Sequence, residues 1–185
     1  GTGTASGGDG GDIMINVGTG NRLDGGHISV FAGRTNAAGQ SGATGGSISI
    51  RSGYSSQSTS GTLILRTLNA GTLGVSGELM FSTGTASSGS SGSISIGTGT
   101  ASGGDGGDIM INVGDGNTLD GGHIHLFAGK TDANVDSTGG SISIRSGFST
   151  IRSSGTIIIR TLNAGTTGVS GELMFSTGTA SSGSS

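Results

Sequence analysis

Four aspartates in glycine-rich segments have the residue type and spacing of a metal site. Residues 7–15 and their copy at 103–111 satisfy the pattern G-G-x-G-x-D-x-U-x of calcium-binding repeats. Asp9 and Asp24 are 15 residues apart, as are Asp105 and Asp120. Their carboxylate oxygens are ligands that Ca²⁺ accepts. Since the nonapeptide is not in tandem, two interpretations remain: solvated turn aspartates, or a Ca²⁺ ion at each pair, whose carboxylates would lie about 5 Å apart if units of 15 residues stack as coils. No other cofactor is predicted.

Two pairs of arginines have the same 15-residue spacing. Arg51 and Arg66 form the first pair, and Arg145 and Arg160 form the second. Guanidinium groups bind carboxylate and sulfate in a bidentate geometry, so these residues are candidate contacts for an anionic polysaccharide or for acidic groups of another chain. The alternative is that they are solvent-facing charges that limit lateral aggregation.

The remaining polar side chains do not form a catalytic constellation. His123 and His125 are two residues apart on one predicted strand face, but Ser29 replaces the second histidine in the first copy of the sequence, which argues against a functional pair. The chain has no Cys, and none of its serines lies in a G-x-S-x-G elbow. Glu78 and Glu172 lack an acidic partner within their own unit. The chain is therefore predicted not to be an enzyme.

Internal repetition organises the whole chain. Residues 1–18 recur unchanged at 97–114, which defines a period of 96 residues, and the first repeat divides into six units of 15, 20, 15, 16, 15 and 15 residues, whereas the second unit of the second repeat has 18 residues. Each unit begins with a glycine that we call the opening glycine: Gly11, Gly26, Gly46, Gly61, Gly77, Gly92, Gly107, Gly122, Gly140, Gly155 and Gly171. The expected organisation is the end of a preceding repeat at 1–10, a first repeat at 11–106 and a truncated second repeat at 107–185. We expect the chain to be part of a longer polypeptide.

Each unit begins with an apolar run, by which we mean the seven residues that start at the opening glycine. Positions three and five of the run are aliphatic or Phe, as in Ile13 and Ile15, and this period-2 alternation is typical of a strand with one buried face. The eighth position is Gly in five of the six unit types, where a turn with positive φ is expected. An antiparallel meander is the less favoured alternative. The predicted fold is all-β: one continuous parallel β-solenoid with coils of about 15 residues and six coils per repeat.

Apolar side chains also occupy the face of each run that is predicted to point outward. An exposed apolar stripe is a candidate lateral interface between molecules. Its members are Met14, Phe31, Ile64, Met80, Met110, Phe127, Ile158 and Met174. Thr83-Gly84-Thr85 and Thr98-Gly99-Thr100 resemble the T-x-T ladders of ice-binding solenoids, which makes ice binding an alternative.

Composition excludes two classes of partner. The net charge is −3 with eight Lys and Arg residues, so the chain has no basic field with which to follow a nucleic-acid backbone. No segment approaches the roughly 20 consecutive apolar residues that a membrane-spanning helix requires.

The stretch GVSGELMFSTGTASSGSSGSISIGTGTASGGDGGDI at 74–109 resembles repeat arrays in very large, Gly/Ser/Thr-rich secreted proteins of diatoms and other stramenopile algae. The resemblance extends over essentially the whole chain and implies a cell-surface or adhesive fibre. The expected function is therefore a structural segment of an extracellular filament or adhesin that self-associates and contacts a glycan or another surface. The alternative is a module that binds ice, glycan or calcium.

Overall fold

The computed structural model describes residues 1–4, 6–36, 42–132 and 137–180. The chain divides into two compact units, Gly1–Ser95 and Ile96–Ser185. Within the described ranges neither unit contains a helix or a β-strand. This finding contradicts the predicted all-β fold: the parallel β-solenoid of 15-residue coils is not present in the structure.

The apolar runs are not packed into a core. None of the described hydrophobic residues is buried, and the side chains at positions three and five, which the solenoid requires inside, are exposed. Each unit offers only two large side chains for burial, and aromatic residues make up 3% of the chain. This apolar area is small beside the conformational entropy that ordering a 15-residue coil would cost.

The contacts between consecutive units have a different register from that of a stacked coil. Stacking would place Gly26 over Gly11, one full unit earlier. Instead, a methyl group added to Gly26 would collide with Val17, the seventh residue of the preceding run. At all eleven opening glycines an added methyl group would lie within 4 Å of the preceding seventh residue, and we call each such approach a junction. The start of each run therefore meets the end of the run before it.

The junctions are of two kinds, and the seventh residue distinguishes them. Where it is Val, Ala or Ser, the opening glycine donates its backbone N–H to the carbonyl of the preceding eighth residue, always Gly. These bonds are Gly26 to Gly18 at 3.1 Å, Gly46 to Gly33 at 2.7 Å, Gly61 to Gly53 at 2.9 Å, Gly122 to Gly114 at 3.4 Å, Gly140 to Gly129 at 2.8 Å and Gly155 to Gly147 at 2.9 Å. The other five junctions have Thr at the seventh position, and there its side chain packs on the opening glycine. At one of them Thr98 Oγ1 also donates to the Gly107 carbonyl at 3.1 Å.

Positive φ does not account for the glycines at the opening and eighth positions, and a close approach is found only at the opening ones. Among the described residues only Gly42 and Gly89, with φ of 95° and 101°, have a left-handed backbone, and neither is an eighth residue. The expectation that the eighth glycine turns with positive φ is therefore wrong. At the opening position a Cβ would crowd the seventh side chain, so glycine permits the contact there.

Between the runs, the chain bends at a recurrent place. It bends at residues 21–23, 56–58, 87–89 and 102–104, which all follow an opening glycine by the same interval. At 55–58 a side chain holds the bend, because Ser55 Oγ accepts the Ser58 N–H at 2.9 Å and the Gln57 N–H at 3.4 Å. Ser149 repeats this arrangement with the Arg152 N–H at 2.9 Å. Serine hydroxyls commonly stabilise turns in this manner.

Removing this hydroxyl should release the bend. In Ser55→Ala the Ser58 amide loses its acceptor, and a hydrogen bond of about 1 kcal/mol corresponds to roughly fivefold faster amide exchange at Ser58. Exchange measured by NMR tests this, with Ser56→Ala as the matched control. Equal exchange rates at Ser58 in the two variants would contradict the assignment.

Candidate interaction surface

The predicted apolar stripe is exposed at every position. Its eight members each expose more than two thirds of their surface: Met14, Phe31, Ile64, Met80, Met110, Phe127, Ile158 and Met174. The alternation of the sequence persists in the run at 61–67, where Ile64 is 70% exposed while Leu63 and Leu65 are 51% and 55% exposed. In the run at 155–161, Ile158 is likewise more exposed than Ile157 and Ile159. Both faces of these runs therefore present apolar surface, with the stripe the more accessible of the two.

Aromatic side chains lie in a row along one run. The rings of His123 and His125 have centroids 5.8 Å apart, and the ring of Phe127 stacks on that of His125 at the same distance with an interplanar angle of 10°. Residues two apart thus share a side, as the predicted alternation requires. The row is specific to the second repeat, because the first has Ser29 in place of His125.

The aspartates lie on exposed backbone. In the described part of the chain, no group of three or more His, Asp or Glu side chains is close enough together to hold a metal ion. A Ca²⁺ ion between Asp9 and Asp24, or between Asp105 and Asp120, requires stacked coils, which the structure does not show among the described residues; both sites stay sequence-based predictions.

Of the four candidate arginines, Arg66 has a distinct setting. With Thr67, Leu68 and Asn69 it lines an open depression of about 440 Å³. Arg145 instead donates its Nε–H to Ser143 Oγ at 3.2 Å, along its own run. Among the described residues, an ion pair is found between Lys130 and Asp132, at 2.9 Å. Within the same part of the chain, the Arg66 guanidinium forms no ion pair with a carboxylate.

Sequence reasoning did not identify this depression, although a signal was present. The eighth position is Gly in five unit types and Leu only in the unit that opens at Gly61. That Leu68, with its copy Leu162, is the one large side chain at a position that is otherwise glycine.

Comparison with protein-family models, curated proteins and solved structures finds no match for this chain. Among the residues that the structure describes, no helix is long and apolar enough to cross a membrane.

Proposed function

We propose that this chain is a non-enzymatic structural segment of an extracellular fibre or adhesin and that it works by associating with further copies of itself. The observation that carries the proposal is the exposure of every large apolar side chain in the described runs. Exposed apolar side chains in this number are unfavourable in water, and they favour association with an apolar surface.

A second copy is the partner that the sequence itself favours. The two repeats carry the same stripe residues in the same order, and their intervals differ only by the two residues missing between Phe127 and Ile158, so one molecule offers another a closely matching repeated surface. The net charge of −3 over 185 residues opposes association only weakly. Association through a repeated surface continues without limit unless the contacts close into a ring. Such open-ended growth produces a filament.

Concentration-dependent assembly tests the proposal. The purified chain should sediment as progressively larger species from micromolar to millimolar concentrations, and electron microscopy should show filaments of uniform width. Since apolar burial drives the association, assembly should strengthen in sodium sulfate and weaken in urea. A single monomeric species across the whole range would refute self-association as the function.

A further inference from the structure

We infer that the depression at Arg66, Thr67, Leu68 and Asn69 binds an anionic polysaccharide, one that carries carboxylate or sulfate groups on its sugars. This binding activity goes beyond self-association, because it assigns the segment a second partner of different chemistry. Both repeats carry the sequence Arg-Thr-Leu-Asn-Ala-Gly, at 66–71 and 160–165.

The lining residues match the parts of an acidic sugar. The Arg66 guanidinium supplies a planar pair of donors for a carboxylate or sulfate. Thr67 and Asn69 contribute a hydroxyl and an amide, which pair with sugar hydroxyls as donors and acceptors. Leu68 is 74% exposed and offers an apolar surface for the C–H face of a sugar ring.

The size of the site and the charge of the chain further restrict the class of ligand. A depression of about 440 Å³ lies within the usual range of small-molecule sites, so it suits one or two sugar units of a longer polymer. The chain as a whole is acidic, so it does not attract a densely charged nucleic acid. A polysaccharide whose anionic groups are widely spaced needs only one guanidinium at each binding site.

A junction anchors one edge of the depression. A methyl group placed on Gly77 would lie 3.3 Å from Thr67 Cγ2, so the side chain of Thr67 rests on the opening glycine of the next unit. This contact limits the motion of Thr67 and lowers the entropic cost of binding at the adjacent residues.

The experiment titrates the chain, below its assembly concentration and at physiological ionic strength, with polygalacturonate, dextran sulfate and neutral dextran. We expect amide shifts centred on residues 66–69 and 160–163 with at least one of the two anionic polymers and none with neutral dextran. The double variant Arg66→Gln/Arg160→Gln should bind at least about tenfold more weakly, the equivalent of about one charge-assisted contact.

The matched control is Arg22→Gln/Arg152→Gln, which removes the same charge from two exposed loop positions and should change the affinity less than about twofold. Equal losses in the two double variants would show non-specific charge attraction and overturn the inference, as would binding to neutral dextran or to none of the polymers. Comparing carboxylated with sulfated polymer identifies the anionic group. Because binding is measured below the assembly concentration, failure of this inference is distinguishable from failure of self-association.

Discussion

The quadruple variant Ile64→Ser/Met80→Ser/Ile158→Ser/Met174→Ser should assemble only at about a thousandfold higher concentration than the unaltered chain. All four side chains are more than two thirds exposed. Full burial of such a residue is worth about 1.5–3 kcal/mol, and incomplete packing and ordering costs reduce this to about 1 kcal/mol each at an interface. Four such losses correspond to about three powers of ten in the association constant. Sedimentation across a concentration series measures the shift.

A matched variant separates the runs from general hydrophobicity. It carries four apolar-to-serine changes at exposed positions outside the runs, namely Leu23→Ser, Leu73→Ser, Val75→Ser and Leu119→Ser. We expect this variant to assemble within about threefold of the unaltered chain, since surface substitutions away from an interface change free energies by about 0.5 kcal/mol or less. If both variants lose assembly to the same extent, the stripe is not the interface.

Gly26→Ala should open the junction between the first two runs. The added methyl group would collide with Val17 Cγ1, so the junction must shift to make room for it. The hydrogen bond from the Gly26 N–H to the Gly18 carbonyl contributes only about 1 kcal/mol, so we expect this shift to break it. The amide of residue 26 should therefore exchange at the rate of an unprotected amide, which NMR measures directly.

Two further variants locate the cause in the Val17 contact. Gly18→Ala is the control, because a Cβ at Gly18 meets nothing within 4 Å. Its amide exchange pattern at residue 26 should match that of the unaltered chain. Adding Val17→Ala to Gly26→Ala should restore protection, since the seventh residue of the next run is already an alanine, Ala32. If the amide of residue 26 still exchanges freely in the double variant, the loss of protection does not come from the contact with Val17.

The sequence predicts the local arrangement of some of the runs. Alternation places residues two apart on one side, and the row of His123, His125 and Phe127 has this geometry. It also ranks Ile64 as more accessible than its neighbours in the run, which the structure confirms. These features depend on the period-2 geometry of the backbone, which short-range sequence determines.

The long-range arrangement could not be predicted in the same way. A 15-residue period shows that units are equivalent, but it is compatible with stacking of Gly26 on Gly11 and equally with contact between Gly26 and Val17. Only the steric fit distinguishes these registers, and the structure shows the second. The depression at Arg66 escapes prediction for a related reason: spacing pairs Arg66 with Arg51, whereas its neighbours in the site are the next three residues of the chain.

The six glycine-to-glycine hydrogen bonds have a mechanical consequence. The bond from Gly26 to Gly18 spans 3.1 Å and bypasses residues 19–25, a segment that reaches about 25 Å when fully extended. Three such closures lie within residues 1–95 and three within 96–185. Under tension, each closure that opens lengthens the chain by roughly 20 to 40 Å, according to the number of residues bypassed, while breaking one bond of about 1 kcal/mol. The polypeptide can therefore lengthen one closure at a time under tension, so it extends before the covalent backbone is fully stretched.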